Sequence, residues 1–218
     1  GLITARWLAE QSAGRHVLLV SRSGSLAAAA VRALREEGAA VRTGRCDVGE
    51  ATVWRALMAG AWCELPATGG VWHAAGVLAD GLLPGQSAES LRFSYGPKAF
   101  GAVNIHRSTT AVPLSACVSF SSIAALLGGT AQANYAAANA TLDALSLSRR
   151  AVGRVACSVQ WGPWAGGGMA SGDAFSSRMA TLGLGMIDAW QGATAMDTAV
   201  SAADATVQAF MVVRWDVL

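Results

Sequence analysis

Short apolar runs alternate with helix-patterned segments along the whole chain, and this alternation constrains the fold more than any other feature. The first run, HVLLVS at 16–21, is β-branched and apolar, which is typical of a buried parallel strand. The segment SLAAAAVRALREEG follows, with apolar residues at helical spacing and Gly38 as a stop. Because the pattern then repeats, we predict βαβ units in an α/β fold, with a doubly wound parallel sheet and helices on both faces.

The remaining elements are predicted from the same signals. We expect an opening helix over 2–12 and, after the second helix, strand AAVRTGRC, helix EATVWRALMAGA, strand GGVWHAA, a helix over 88–108, strand ACVSFSS, a helix over 132–150 and strand RVACSVQW. The Gly-rich stretch GPWAGGGMASGDAFSS then precedes two weaker helices and a last strand, VQAFMVV. In such sheets ligands bind outside the carboxyl ends of the strands, so the residues that close each strand are the candidates for a site.

Composition and charge exclude several classes of function. Hydrophobic residues make up 53% of the 218 residues and charged residues 14%, so we expect one domain over 1–218 with a deeply buried sheet. The net charge of +2 comes from scattered arginines, which form no basic stripe for a nucleic acid. No apolar run approaches the ~18 residues of a membrane span. We therefore expect no nucleic-acid partner and no membrane partner.

The four cysteines stand far apart, with no C-x-x-C pair and no histidine at ligand spacing. This pattern predicts neither a zinc site nor a disulfide framework, and we expect no metal. Cys46, Cys63, Cys117 and Cys157 are interpreted as buried thiols in a reducing compartment.

Three predicted strands end in residues that suit a dinucleotide. Arg22 and Ser23 close the first strand, where an arginine suits the 2′-phosphate of NADP and an acid would suit NAD; an ordinary surface arginine is the alternative. Asp47 closes the second, where it either accepts from an adenine amino group or caps the helix that begins near Glu50. The small residues at 74–76 would let a ligand lie against the backbone, or would equally permit tight helix packing.

Four polar residues in the middle of the chain form the strongest candidate site. Tyr135 and Asn139 are four apart on a predicted helix, so their side chains share one face. Ser122 ends the strand before that helix. Lys98 is the one lysine among sixteen basic residues, and its compact ammonium is a charge that arginine does not imitate. Survival of a single lysine by codon bias is the alternative interpretation.

Together these segments resemble a known family. LLVSRSG, CDV, HAAGVLADG, PKAFGAVNIH, VSFSSIAALLGGTAQANYAAANATLDAL and SVQWGPWAGGGMA resemble, in order and spacing, the ketoreductase domains of modular polyketide synthases and animal-type fatty acid synthases. These domains are a branch of the short-chain dehydrogenase/reductase superfamily, whose fold is Rossmann-like. Ordinary members carry Tyr-x-x-x-Lys, whereas the synthase domains are similar to this chain, with Asn139 in that position and a lysine, Lys98, on the preceding helix.

The resemblance implies NADPH-dependent reduction of a β-ketoacyl thioester on the phosphopantetheine arm of an acyl carrier protein. Tyr135 is implied to donate a proton to the ketone oxygen, and Ser122 to hydrogen-bond that oxygen. Lys98 would lower the pKa of the phenol, and Asn139 would hold the lysine or a relay water. The implied partners are the acyl carrier protein and neighbouring synthase domains, in the cytoplasm.

The resemblance also implies a set of cofactor contacts. The residues concerned are Gly1, Arg22, Ser23, Asp47, Val48, Ala75, Gly76, Gly162 and Pro163. Arg22 and Ser23 would meet the 2′-phosphate, and Asp47 and Val48 the adenine. Ala75 and Gly76 would meet the nicotinamide ribose, and Gly162 and Pro163 the carboxamide. Gly1 is similar to the last glycine of the family's phosphate loop, whose other glycines and preceding strand are missing. We therefore expect a piece of a larger multidomain synthase, one that binds NADPH poorly without the missing part.

Four residues are expected to contact the substrate: Asp80, Leu127, Gln132 and Met169. Family members that give one alcohol configuration resemble each other in a Leu-Asp-Asp triplet, where this chain has Leu-Ala-Asp ending at Asp80. Those that give the other carry a tryptophan where this chain has Leu127. Asp80 and the missing tryptophan favour the first group. Met169 lies in GGGMASGDAFSS, which resembles a lid over the substrate.

Two other functions stay open at this stage. A stand-alone short-chain reductase acting on a free small molecule is one, although Tyr-x-x-x-Asn disfavours it. A structural ketoreductase-like domain without catalysis is the other, although the presence of Tyr135, Ser122, Lys98 and Asn139 disfavours that.

Overall fold

The computed structural model describes residues 1–11, 16–25, 28–166, 172–202 and 205–217. Its strands are β1 (His16–Ser21), β2 (Ala40–Arg45), β3 (Gly70–His73), β4 (Ala116–Ser122), β5 (Cys157–Trp161), β6 (Leu184–Gly185), β7 (Val207–Phe210) and β8 (Val212–Val213). Strands β1 and β2 pair in parallel, and β3-β4-β5-β7 form a parallel sheet in that order. The short β6 and β8 pair antiparallel.

The helices connect and cover these strands. They are α1 (Leu2–Glu10), α2 (Ala28–Glu36), α3 (Ala51–Glu64), α4 (Ala88–Tyr95), α5 (Gly101–Ser108), α6 (Ala124–Leu127), α7 (Ala133–Ala151), α8 (Asp173–Thr181) and α9 (Ala189–Ser201). Helices α1, α2 and α9 share core clusters with one face of the strands, while α3 and α5 share another cluster. Helix α7 packs on β4 and β5. The predicted α/β class with a doubly wound parallel sheet is therefore confirmed.

The parallel sheet is interrupted between β1 and β3. These two strands do not pair with each other, although Val20 of β1 and Val71 of β3 pack in one apolar cluster. Helix α1 helps to join the two parts, because Ala5 packs in the β1–β2 cluster while Trp7 packs edge-on to Trp72 of β3 with ring centroids 6.3 Å apart.

The largest departure from the predicted elements lies in the segment 88–108. The sequence predicts one helix there, but a π-helix, Gly96–Phe100, separates α4 from α5. Pro97 has no backbone N–H and cannot donate to the carbonyl one turn before it, so the turn widens. The Gly101 N–H then bonds to the Gly96 carbonyl, five residues back. This widened turn carries Lys98.

Shorter elements were not predicted. Helix α6 has four residues and a 3₁₀ turn at Leu83–Gly85 has three, which is too short for any periodicity to show. The strand predicted from residue 154 begins only at Cys157. The prediction of four buried cysteines is wrong for Cys63, which lies on the solvent side of α3; the other three are buried.

The described residues include neither a helix that could span a membrane nor a cluster that could bind a metal ion. None of the helices in these parts of the chain is long and apolar enough to cross a membrane. Within the same residues, no three His, Cys, Asp or Glu side chains are grouped so that they would hold a metal ion.

His73 fixes the end of β3 to the π-helix. Its Nε2 lies 3.0 Å from the carbonyl oxygen of Lys98, and because a carbonyl only accepts, Nε2 carries the proton. Burial lowers the pKa of His73 to about 4, and the charge of Lys98 acts in the same direction, against the hydrogen bonds to the backbone carbonyls of Lys98 and Pro97. His73 is therefore a neutral donor near pH 7.

We predict that Gly192→Ala and Gly60→Ala have opposite effects on stability. A methyl group at Gly192 of α9 would overlap the indole ring of Trp164, so the change should lower the free energy of unfolding by about 1–3 kcal/mol. Gly60 of α3 has no neighbouring atom within 4 Å of an added methyl, so alanine should raise that free energy by about 0.5–1 kcal/mol. Urea unfolding of both variants measures the pair. Equal effects would contradict the packing of Trp164 on α9.

We also predict a pH-dependent contribution of His73 to stability. The histidine is neutral in the folded chain down to a pKa of about 4, against 6.5 in the unfolded chain, so its contribution is complete above pH 6.5 and is lost as the pH falls toward 4. The loss should be on the order of 3 kcal/mol at pH 4, measured as the difference in urea unfolding between the wild type and His73→Gln. His16→Gln, at an exposed position, is the control that keeps the wild-type dependence. Identical pH dependence in wild type and His73→Gln would refute the prediction.

Candidate active site

The candidate residues meet at the carboxyl ends of the parallel strands. Ser122 is the last residue of β4 and lies in register with Trp161, the last residue of β5. Arg22 follows β1 and Gly162 follows β5. Since all these strands are parallel, the residues that follow them lie along the same side of the molecule.

Helix α7 supplies Tyr135 and Asn139 from its buried face. Tyr135 is 8% exposed and Asn139 is fully buried. The Nδ2 group of Asn139 donates to the Tyr135 carbonyl at 2.8 Å, and Ser121 Oγ donates to the Asn139 carbonyl at 3.3 Å. These bonds hold the first turns of α7 against β4, beside Ser122.

Lys98 reaches this pocket from the π-helix. Its side chain is 3% exposed, and Nζ donates to the Phe120 carbonyl of β4 at 2.8 Å. The same Nζ lies 5.4 Å from the centroid of the Tyr135 ring. Burial lowers the pKa of Lys98 to about 8, and the charge of Asp143 opposes this change. The ammonium and the phenol therefore lie in one pocket, and the ammonium is still largely charged at neutral pH.

The acidity of Tyr135 differs from the sequence expectation. Burial raises the pKa of the phenol and the charge of Asp80 adds to the rise, while side-chain hydrogen bonds with Ser122 and Asn139 act in the opposite direction. The net pKa of the phenol therefore lies above its ordinary value, whereas the sequence led us to expect a lowered one. The reason is that the cost of burying a phenolate outweighs its stabilisation by neighbouring groups.

One buried acceptor in the pocket lacks a partner. The Oδ1 atom of Asn139 makes no hydrogen bond within the described parts of the chain. Buried polar atoms are nearly always paired, by protein, water or a ligand. Asn139 therefore retains hydrogen-bonding capacity that α7 and β4 do not use.

Arg22, Ser23 and Gly24 form the turn after β1. Arg22 and Ser23 are exposed there, and Arg22 has no acidic partner among the residues described. Gly24 has φ +68°, and a Cβ at this position would lie 2.8 Å from the Cβ of Arg45, so the tight turn requires glycine. A free guanidinium on a fixed turn is a suitable donor for a phosphate.

The residues after β2 and β3 form an apolar wall. Asp47 does not cap α3 as the alternative interpretation suggested; its Oδ1 accepts from the Gly49 N–H at 2.9 Å within the loop. Val48 is buried, and Ala75 packs against the same cluster. Gly76 follows, partly buried. Apolar and small residues therefore follow both strands, which suits an apolar part of a ligand.

The other predicted cofactor residues lie at two further points. The Gly1 carbonyl accepts from the Ala5 N–H at 2.9 Å, so Gly1 is the N-cap of α1. Gly162 donates to the Phe210 carbonyl at 2.8 Å, and the Pro163 carbonyl accepts from Ile187 at 2.7 Å. The small residues at these strand ends are compatible with a nicotinamide cofactor lying against the backbone.

Three of the four predicted substrate residues, Asp80, Leu127 and Gln132, lie in described segments. Gln132 Nε2 donates to Asp80 Oδ2 at 3.0 Å, and the Gly81 N–H donates to the Ala131 carbonyl at 2.8 Å. These bonds tie the segment after β3 to the loop before α7. Leu127, at the end of α6, is 62% exposed.

Part of the predicted lid lies outside the described residues. Met169 is among the residues 167–171, which the structure does not describe. The second half of the predicted loop is helical, because α8 begins at Asp173. The negative charge of Asp173 in the first turn favours the start of a helix at this point of the predicted loop.

Two residues near the site were missed. His73 donates to the Lys98 carbonyl, and Asp143 accepts from Ser158 and Gln160 of β5. Asp143 follows Asn139 by one helical turn, so the spacing that pairs Tyr135 with Asn139 would also have found it. His73 carries no such signal, because its partner is a distant backbone carbonyl.

Comparison with known proteins identifies the family. Residues 1–166 match the KR domain family. The chain is 46% identical over 204 residues to polyketide synthase GfsB of Streptomyces halstedii, covering 91% of the chain and 4% of that protein. It is 41% identical over 209 residues to the spectinabilin polyketide synthase system protein NorB of Streptomyces orinoci, covering 93% of the chain and 10% of that protein.

Solved structures give the same result. An A-type ketoreductase structure from a modular polyketide synthase matches with a TM-score of 0.90 at 35% identity, covering 100% of this chain and 46% of that one. A C2-type ketoreductase matches with a TM-score of 0.85 at 34% identity, covering 99% and 46%. The chain thus spans a small part of the curated relatives and less than half of these solved chains. It belongs to the KR family, as a ketoreductase domain of the kind found in modular polyketide synthases.

Proposed function

We propose that the chain catalyses the NADPH-dependent reduction of a β-ketoacyl thioester, carried on an acyl carrier protein, to the β-hydroxyacyl thioester during chain elongation. The observation that carries this proposal is the meeting of Tyr135, Ser122 and Lys98 at the carboxyl edge of the sheet in a KR-family chain. A buried phenol and a buried ammonium in one pocket suit the reduction of a ketone.

The chemistry divides between the cofactor and the pocket. NADPH supplies a hydride to the ketone carbon when it is bound. Tyr135 gives its proton to the ketone oxygen, so a C–H bond and an O–H bond form and the C=O π bond breaks. Ser122 donates a hydrogen bond to the same oxygen as negative charge develops there.

The raised pKa of Tyr135 suits this direction of reaction. A phenol that donates a proton must be protonated when the substrate arrives, and burial keeps it so. Proton transfer leaves a phenolate, and the Lys98 ammonium 5.4 Å from the ring centroid stabilises that product. Asn139, whose Oδ1 is unpaired, would hold the lysine or a relay water through which the phenolate regains a proton.

The choice of NADPH is supported by Arg22. Its free guanidinium follows β1, where an acid would favour NAD instead. Asp47, Val48, Ala75 and Gly76 form the wall for the adenine and the nicotinamide ribose. Gly1, Gly162 and Pro163 complete the proposed contacts.

The partners follow from the relatives. These proteins are polyketide synthases of which the chain covers 3–10% for the first three, so we propose that the domain over 1–218 works beside other synthase domains and an acyl carrier protein in the cytoplasm. The product configuration stays a prediction from Asp80 and Leu127, since the solved relatives include both A-type and C2-type ketoreductases. A catalytically inactive structural domain is the competing function.

We predict that Tyr135→Phe lowers kcat by about 10²–10⁴-fold, because the variant keeps the ring and loses the proton donor. The assay follows NADPH oxidation at 340 nm with a β-ketoacyl N-acetylcysteamine thioester. Tyr95→Phe is the matched control, because Tyr95 of α4 packs on the half-exposed Phe100, with ring centroids 6.5 Å apart. Full activity in Tyr135→Phe would contradict the mechanism, and an inactive wild type would favour a structural domain.

We predict that Arg22→Ala raises the KM for NADPH by about 10–100-fold and leaves the KM for NADH unchanged. The reason is the loss of charge-assisted hydrogen bonds to the 2′-phosphate, each contributing about 1.5–3 kcal/mol. Arg55→Ala is the control, because Arg55 is exposed on α3 and bonds to the Ala51 carbonyl. An equal effect on both cofactors would show that Arg22 does not read the 2′-phosphate.

A further inference from the structure

Helix α7 carries a half-buried acidic residue, Asp143, beyond Tyr135 and Asn139. Asp143 follows Asn139 by one turn, so it lies on the same face. Ser158 Oγ donates to its Oδ1 at 2.6 Å, and Gln160 Nε2 donates to its Oδ2 at 2.8 Å. Both donors are buried side chains of β5. One donor on each oxygen holds the carboxylate in a fixed position between α7 and the sheet.

None of the ion pairs given for the described parts of the chain includes this carboxylate. The ion pairs within the described residues all involve exposed arginines, and neither Asp143 nor Lys98 takes part in one. Lys98 is 3% exposed, so its ammonium has little water to stabilise it. A buried charge without a counter-charge is costly, and opposite charges in one buried layer offset each other over several ångströms.

The strand register brings the two charges into the same layer. Lys98 Nζ is bonded to the Phe120 carbonyl of β4, and Phe120 lies in register with Val159 of β5. Ser158 and Gln160, which hold the carboxylate, flank Val159 directly. Helix α7 packs on β4, β5 and the π-helix at once. The ammonium and the carboxylate are therefore anchored to neighbouring strands beneath one helix.

The other ionisable groups around the ammonium do not supply this counter-charge. His73 of β3 is neutral, and Tyr135 is protonated near pH 7. Asp80 is exposed, bonds to Gln132, and acts on the phenol. Arg149, further along α7, bonds to His106 and Thr109. The charge of Asp143 does oppose the effect of burial on the pKa of Lys98.

We propose that Asp143 is a positioning residue: its carboxylate, held by Ser158 and Gln160, is the counter-charge that keeps the buried Lys98 ammonium protonated. The charge coupling rests on the anchoring of Lys98 and Asp143 to neighbouring strands and does not depend on the proposed function. Its consequence for catalysis rests on the proposed function, in which the ammonium stabilises the Tyr135 phenolate.

The coupling is measured by NMR titration of the lysine. The protein is labelled with ¹³C-lysine, and the Lys98 signal is assigned by its loss in Lys98→Arg. Asp143→Asn removes the charge and keeps hydrogen-bonding groups for the two β5 side chains. The pKa of Lys98 should fall by about 0.5–1 unit in this variant. Asp143→Ser is a second neutral variant with the same expectation, should the first fail to fold.

Two controls separate charge from structure. Ser158→Ala removes one hydrogen bond to the carboxylate and leaves its charge. The pKa of Lys98 should therefore stay within about 0.2 unit of the wild-type value. Asp143→Glu restores the charge and should restore the titration. If the folded neutral variants titrate like the wild type, Asp143 only tethers α7 to β5 and the proposal is overturned.

Activity supplies the second readout. With the β-ketoacyl N-acetylcysteamine thioester, the alkaline decline of kcat/KM should move to lower pH by about 0.5–1 unit in Asp143→Asn. The decline should not move in Ser158→Ala. A shifted Lys98 titration with no turnover in any variant, wild type included, would support the coupling and reject the proposed function. A shifted titration with an unmoved decline would reject the catalytic part of this proposal.

Discussion

The burial of one ammonium group determines the arrangement of the pocket. Lys98 is held on a π-helix that Pro97 widens, its carbonyl accepts from His73, and its Nζ donates to the Phe120 carbonyl. Removing an ammonium from water is costly, and each of these contacts limits the choice of positions it can take. The result is a charge fixed 5.4 Å from the ring of Tyr135.

The neighbouring groups divide the electrostatic work. Burial lowers the pKa of Lys98 to about 8, and the charge of Asp143 opposes this change. The same burial keeps Tyr135 protonated, which is the state that a proton donor in a reduction requires. The pocket therefore holds a protonated phenol beside a cation. The cation stabilises the phenolate once the proton has left.

Much of this arrangement could be predicted from the sequence, for identifiable reasons. Strand β4 was predicted with its observed bounds because seven consecutive residues are apolar or small, and the shared face of Tyr135 and Asn139 follows from helical spacing. The π-helix was not predicted, because one proline inside a helical pattern is consistent with either a kink or an end. The raised pKa of Tyr135 was also missed. It depends on how deeply the ring is buried, which is a property of the packed structure and not of any local motif.

The most direct test of this account is the pH dependence of single-turnover hydride transfer. It is measured from about pH 5.5 to about pH 10 with NADPH and a β-ketoacyl N-acetylcysteamine thioester. The account predicts a constant rate near neutrality and a decline with an apparent pKa of about 8, the value that burial gives Lys98. Lys98→Met should be slow at every pH and should lack that decline. A wild-type rate that stays constant to pH 10, or a Lys98→Met variant with the wild-type profile, would contradict the role of the buried ammonium.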